Sequence, residues 1–547
     1  MSSPHGPRAA WLPPFWLILV TLVCLLPFIN KAVFIDDTLF LRAAEQIRHN
    51  PADFYGATIN WFGAPGPLYV VFDNPPLTSC YIALLSFIAV WSEPALHLGF
   101  LLPALAAVWG IYLLARHFTD SPALAAVVAL FTPAFLISAT TLMSDVPLLA
   151  LWVWTLVLFE HGLQTNRSAA FVFAGLLAGL GVLTKFTALA MVPLLAAFAL
   201  THKRGAGWWL IAIVIPALFA AGYGLLTRRL YGQDLLFAAG QYAARIKGNS
   251  GLSLIDRTSV GLGFLGGCFL PVLFYLPLAG SRRFLLAGLG LSLLSLPIMP
   301  HVGPFSPFLH REDHSFNWGL LVQCWLFVLA GLEILLLNIA DLWERRDRAS
   351  LLLALWIGGI VVFAIGLNWT INGRSFLPMA PAVGILVERR IGAQRQSVRA
   401  ALAMWPALAA LAACVPLLVV DYRSANADRR AAEQIISHHA RPGRTIWFEG
   451  HWGLQYYFEK LGAKAVNLQS THLASGDLLV IPTEMTNVYD PPWNSVRLLD
   501  TIELLPSPFL ATMNSTIGAG FYAAVFGPLP FVAGKVEPYR FYIFEVK

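Results

Sequence analysis

Residues 11–40 read WLPPFWLILVTLVCLLPFINKAVFIDDTLF. From Trp11 to Phe34 the chain is apolar and membrane-length, interrupted by Asn30 and Lys31, and it then meets two adjacent acids, Asp36 and Asp37. A carboxylate pair costs several kcal/mol in hydrocarbon, so at the mouth of a transmembrane helix it is held by a site or by water. The acids mark the place where the first crossing ends and chemistry can begin.

The rest of the chain repeats the apolar part of this pattern. Of 547 residues 57% are hydrophobic and 12% charged, and the mean hydropathy is +0.66. Runs of roughly 18 to 22 apolar residues, each able to cross a hydrocarbon core, recur from Trp11 to Val420. They predict an all-α polytopic membrane protein with about thirteen transmembrane helices. The spans are Leu12 to Ile29, Leu96 to Leu114, Ala123 to Ala139, Val146 to Phe159, Ala169 to Leu183, Ala188 to Leu200 and Trp208 to Leu226, then Val260 to Leu278, Phe284 to Met299, Trp318 to Leu337, Leu351 to Leu367, Phe376 to Val387 and Ala401 to Val420. Residues 1–420 thus form a membrane domain with a large first outer loop, 31–95. Residues 421–547 are polar, with short alternating runs, and read as a soluble α/β domain.

Charge sets the orientation. The formal net charge of +6 is modest and sits in loops, which excludes nucleic acid as a partner and reports topology instead. With the N-terminus inside, Arg116, Arg167, Lys203 and Arg204, Arg282 and Arg283, Arg345 to Arg348 and Arg389 to Arg399 fall on the cytoplasmic side. That parity requires Leu77 to Trp91, opened by Pro75-Pro76, to be re-entrant or interfacial; an ordinary crossing there would invert every later loop. Arg8 precedes the first run and no small-residue cleavage site follows it, so the first helix reads as retained. Cys24, Cys80, Cys268, Cys324 and Cys414 are scattered in apolar runs, without zinc or disulfide spacing.

Ionisable residues then converge on the outer face: Asp36, Asp37, Asp73 with Asn74, Asp145, Lys185, Arg374 and the segment from Arg228 to Arg257. Lys185 interrupts the apolar block Leu180 to Leu195, which predicts a break between two helices or a lysine snorkelling to the interface. Arg228, Arg229, Arg245, Lys247 and Arg257 outnumber the acids where basic residues should be scarce. Gln233 to Ile246 has the spacing of a surface amphipathic helix, suited to a lipid phosphate or to anionic headgroups in general. Asp145, before Val146-Pro147, is a candidate site acid or a helix cap. His301, His310, Glu312, Asp313 and His314 share one outer loop but lack compact metal-ligand spacing, so a divalent ion stays open and a polar loop closing over a ligand is the better reading.

In the C-terminal part, Ala427 to His439 and Trp452 to Leu461 read as helices, and Thr445 to Phe448, Asp477 to Ile481 and Arg540 to Val546 as strands. Glu449, His451 and Trp452 follow a strand end, where they can touch a ligand or pack the domain on the membrane part.

An ordered set of motifs carries a family resemblance across about Phe34 to Pro381. It comprises Phe34-Ile35-Asp36-Asp37-Thr38, Asp73-Asn74-Pro75-Pro76-Leu77, Met143-Ser144-Asp145-Val146-Pro147-Leu148, Leu183-Thr184-Lys185-Phe186, and Gly373-Arg374-Ser375-Phe376-Leu377-Pro378 with Pro381. In this order they resemble GT-C glycosyltransferases, the superfamily of protein O-mannosyltransferases and lipid A aminoarabinose transferases. The resemblance implies inverting transfer of a sugar from a polyprenyl-phosphate donor to a lipid, glycan or protein acceptor at the outer face of a bacterial inner membrane. It makes Asp36 the base that takes the acceptor proton, Asp37 and Asp145 its supporting acids, and Lys185 and Arg374 the cations for the leaving phosphate. Arg228, Arg229, Arg245 and Lys247 rank second for the phosphate, and Asp73 and Asn74 stand toward the acceptor. Where relatives often carry a base or histidine before Pro75, this chain has Asn74. The rival class is a transporter or flippase of lipid-linked sugars, whose internal repeat and midplane charges the sequence lacks.

Overall fold

The structure is a computed structural model and describes residues 13–89, 91–202, 207–310, 315–394 and 400–547. Arg8, Lys203, Arg204, Glu312, Asp313 and His314, and the start of the first predicted span, lie outside these residues.

Among the described residues six helices are long and apolar enough to cross a membrane: Glu93–Ala115, Asp145–Thr165, Trp208–Tyr231, Trp318–Arg345, Arg348–Leu367 and Met404–His439. A seventh crossing arises if Leu254–Cys268 and Val272–Ala279, bent by 82°, count as one span. Phe15–Phe28, Leu77–Ile88, Ser168–Thr184 and Phe186–Thr201 are shorter apolar helices. The chain is therefore a multi-pass helical membrane protein with at least six candidate crossings among the described residues, fewer than the thirteen apolar runs of the sequence.

Proline accounts for part of the difference. It cannot donate the helical hydrogen bond and clashes with the preceding turn. The run expected to cross from Ala123 to Ala139 is two pieces, Pro122–Leu130 and Pro133–Ser138, parted at Phe131 and at Thr132, whose side chain caps the second. Helices approach closely where side chains vanish. A Cβ on Gly266 would stand 1.7 Å from the Phe327 carbonyl oxygen, and one on Gly331 2.5 Å from that of Leu262, so these two glycines let Leu254–Cys268 lie backbone to backbone on Trp318–Arg345.

The first loop, residues 31–95, is ordered by its own helices. Asp37–His49 packs against Leu77–Ala89. The latter exposes Leu84, Phe87 and Ile88, as an interfacial helix would. The expected break at Lys185 is present: the residue is extended (φ −160°, ψ 132°) between Ser168–Thr184 and the 3-10 turn Phe186–Ala190. The amphipathic helix occupies Leu235–Asn249, capped by the Asp234 carboxylate.

One helix, Ala400–His439, runs through the boundary expected at residue 421 and carries the chain into the polar region. There Lys464–Ala465, Ile446–Phe448, Leu478–Pro482, Tyr539–Val546 and Val496–Leu504 form one mixed sheet in that spatial order. The first three strands are parallel and the last two antiparallel to their neighbours. The first loop is sewn to this region by backbone-directed bonds. Asn60 Nδ2 donates to Val466 O (2.7 Å), Leu468 N to Gly63 O (2.8 Å) and Asn487 Nδ2 to Trp61 O (3.0 Å). Loop and sheet together roof the space above the helices.

Candidate active site

Beneath that roof lies a cavity of about 560 Å³. Asp36, Asp73 and Asn74 of the first loop line it, with Lys185, Arg374, Tyr522 and the His451-Trp452 turn. One wall is apolar: Leu236, Ala239, Tyr242 and Ala243 come from the amphipathic helix, and Phe363 and Leu367 from the turn facing it, with Trp369 just beyond. That turn, Phe363–Leu367, is a π-helix, and Lys247 of the amphipathic helix donates to its Gly366 carbonyl. A bulge of this kind frees carbonyls for side-chain partners, and Arg257 uses two more, Ile365 O and Asn368 O, both at 2.8 Å.

Four charges meet at one end of the cavity. Arg374 stands in the short helix Gly373–Phe376, which the Asn372 side chain caps through Ser375 N. Its Nη2 donates to Asp36 Oδ2 (3.1 Å), and its Nη1 lies 3.8 Å from Asp145 Oδ2 and 2.6 Å from Met143 Sδ. Lys185 Nζ donates to the other Asp145 oxygen at 2.7 Å. Asp145 is thus divided between two cations, and the guanidinium is divided between two acids. Asp145 begins Asp145–Thr165 yet spends its carboxylate across the site, on Lys185 and Arg374. Two acids and two cations balance one another's charge in this cluster.

Asp73 lines the same cavity, and burial together with the charge of Asp36 pushes its carboxyl up to about 6. Asn74 joins it and is fixed by its backbone, whose carbonyl accepts from Tyr55 OH at 2.5 Å.

The other sequence candidates stand apart. Asp37, expected to assist the base, is fully buried and absent from the cavity lining: Oδ2 accepts from Phe34 N (3.2 Å) and Oδ1 from Leu142 N (2.9 Å). It ties the acidic loop to the turn preceding Asp145, a positioning role. Arg228 and Arg229 occupy the exposed last turn of Ile211–Tyr231, and Arg245 the exposed side of the amphipathic helix, so none of the three lines the cavity. Long flexible cations on helix surfaces face solvent unless a partner draws them in, which separates them from Arg374 and Lys185. Among the described residues no group of three or more His, Cys, Asp or Glu is arranged to hold a metal ion.

The C-terminal region supplies cavity residues that sequence reasoning named loosely or not at all. His451 rests on Trp61 (ring centroids 4.3 Å) with Nε2 3.1 Å from Thr486 Oγ1, and burial drives its ring down to about 3, so it stays neutral at physiological pH. It follows Gly450 (φ 84°) and precedes Trp452 (φ 60°). A left-handed tryptophan is strained and held by its surroundings. Tyr522, absent from every motif, faces Arg374 with its ring 5.5 Å from the guanidinium carbon.

Residues 73–228 match the family described as dolichyl-phosphate-mannose-protein mannosyltransferase. The matched segment includes Asp73, Asp145 and Lys185, and this match agrees with the resemblance to GT-C glycosyltransferases carried by the ordered motifs. Among solved structures the chain is similar to the Archaeoglobus fulgidus oligosaccharyltransferase in its apo form, at 15% identity and a TM-score of 0.47, covering 84% of this chain and 65% of that one. It is similar to ArnT from Cupriavidus metallidurans bound to undecaprenyl phosphate (13%, TM-score 0.43, covering 85% and 92%). It is also similar to the arabinosyltransferase EmbB from Mycobacterium smegmatis (16%, TM-score 0.35, covering 91% and 46%). The chain thus spans just under two thirds of the archaeal enzyme's length. No curated protein sequence matches it.

Proposed function

We propose that this chain is a membrane glycosyltransferase that moves a sugar from a polyprenyl-phosphate donor to an acceptor hydroxyl at the outer face, with inversion. The observation that carries the reading is the cluster in which Arg374 is shared by Asp36 and Asp145 and Lys185 holds the free side of Asp145, at the end of a cavity with an apolar wall. A lipid phosphate needs both features: cations for its charge and an apolar surface for the first isoprene units.

In this reading the donor phosphate takes Arg374 and Lys185. Asp36 then loses its guanidinium partner and becomes a stronger base, so donor binding and base activation are coupled. The acceptor oxygen attacks the anomeric carbon from the face opposite the phosphate, and its proton passes to Asp36. The carbon–oxygen bond to phosphate breaks with its electron pair moving onto the phosphate oxygen, where the two cations hold the developing charge. Asp73 orients the acceptor, and Asp145 keeps Lys185 and Arg374 at the phosphate. A bacterial inner membrane, with the sheet region on its outer face, fits the distribution of basic loops.

The test is transfer from a labelled polyprenyl-phosphate sugar to components of a membrane extract by purified protein, with and without Asp36→Asn. Wild type should form a labelled product and the variant should not. Lipid translocation without any product would replace the transferase with a flippase.

A further inference from the structure

Arg374 sits on a four-residue helix, and its immediate neighbours do not by themselves explain why its guanidinium lies between two acids. The support comes from far along the chain. Tyr522 offers its ring to the guanidinium at 5.5 Å, within the range of a cation–π contact. Its hydroxyl donates to Asp421, at 3.0 Å from Oδ2 and 3.2 Å from Oδ1. Asp421 is fully buried and pairs with the equally buried Lys31 at 2.5 Å.

Lys31 Nζ also donates to Thr140 Oγ1 at 3.2 Å and to the Tyr522 hydroxyl oxygen at 3.4 Å. Thr512 Oγ1 adds a further bond to Asp421 at 3.0 Å. A buried ion pair earns little net stability, because desolvation offsets its attraction, so its place in the structure is better explained by what it holds in register. Here it joins the first loop, five residues before Asp36, to the helix Ala400–His439 and to Tyr522.

The backbone repeats the connection. Gly373 N donates to Phe521 O (2.7 Å) and Ala524 N to Ile371 O (2.8 Å), and the Phe521 ring fills the space a Cβ on Gly373 would need. Residues 371–373 are therefore clamped by 521–524 on both sides of Tyr522.

We propose that Tyr522, anchored by the buried Lys31–Asp421 pair, positions the Arg374 guanidinium between Asp36 and Asp145, making the segment around 512–526 a working part of the donor-phosphate site. This rests on the reading of Arg374 as a phosphate ligand. Tyr522 acts through Arg374, and its effect must vanish when Arg374 is removed.

The experiment is retention of radiolabelled undecaprenyl phosphate by purified full-length protein, in a double-mutant cycle of Tyr522→Leu and Arg374→Ala, with Tyr522→Phe as the variant that keeps the ring. Tyr522→Leu should weaken binding about tenfold in the wild-type background and add nothing in the Arg374→Ala background. Tyr522→Phe, released from Asp421, should fall between wild type and Tyr522→Leu, with a thermal midpoint near that of wild type. Equal losses from Tyr522→Leu in both backgrounds would mean that the ring meets the lipid directly, and would overturn the proposal. So would wild-type affinity in Tyr522→Phe. Wild-type affinity in Arg374→Ala alone would instead remove the phosphate reading of Arg374 and the positioning role with it.

Discussion

Asp36 and Asp37 are neighbours in sequence and opposites in environment. Asp36 faces the cavity on Arg374, while Asp37 is buried with both oxygens on backbone N–H groups. The two substitutions should therefore separate. Asp36→Asn is expected to cut transfer by a factor of about 10²–10⁴, the worth of a general base, with thermal stability and undecaprenyl phosphate retention kept. Asp37→Ala strands the amides of Phe34 and Leu142 and should lower stability by about 1–3 kcal/mol, read as a fall in the unfolding midpoint in detergent. The pH dependence of Asp37 has a definite sign. Burial pushes its carboxyl up to about 7, against an ordinary value of about 3.9. Between these values the unfolded chain releases the Asp37 proton before the folded one does. Its contribution to stability is thus fullest below about pH 4 and is lost as pH rises through 7. Asp37→Asn, which does not titrate, should show a smaller drop in midpoint between pH 5 and pH 8 than wild type; an equal drop would assign the effect to other groups. The acidic pair was conspicuous in the sequence because charge next to an apolar run is costly. Which member faces the cavity was not legible, since the answer depends on Leu142, a hundred residues away.

Elements were legible where hydrophobic length is unambiguous. Glu93–Ala115, Asp145–Thr165, Trp208–Tyr231 and Trp318–Arg345 coincide with apolar runs that end on charged or polar residues, and the break at Lys185 followed from the cost of an amine inside a helix. A run such as Ala123 to Ala139 reads as one helix but is two, because composition alone does not weigh a proline-directed turn. Close helix approach was hidden for a different reason: a glycine in an apolar run carries no sign of its partner. The Gly266–Gly331 contact turns this into a prediction. Gly266→Ala sets a methyl against the Phe327 carbonyl, so the helices must separate, at a cost of about 1–3 kcal/mol for overpacking. Gly290→Ala, with open space around its Cβ, serves as the control. Thermal unfolding should show a lowered midpoint for the first variant and none for the second; equal midpoints would mean that the contact tolerates a side chain.

At the scale of the whole molecule, the site is where the first loop, the membrane helices and the C-terminal region meet. The charges lining the cavity were legible one by one as ionisable residues bordering apolar runs. Their support was not, because Lys31 and Asp421 are 390 residues apart and each looks, in its own surroundings, like a charge bordering an apolar run. Their pairing predicts a pattern that single substitutions cannot give. Lys31→Met leaves Asp421 buried with its bonds from Tyr522 and Thr512 but without a countercharge, and Asp421→Leu strands the Lys31 ammonium. Each should cost about 3–5 kcal/mol, the usual penalty for breaking a buried pair. The double variant Lys31→Met, Asp421→Leu removes both charges at once and should recover most of the lost midpoint, because apolar residues of similar volume replace a buried pair at little net cost. Recovery of stability should not bring back donor affinity, since the Tyr522 hydroxyl has lost its acceptor. Additive losses in the double variant would show that the two residues do not act as a pair. A double variant stable and fully able to retain undecaprenyl phosphate would show that the pair fastens the fold without tuning Arg374.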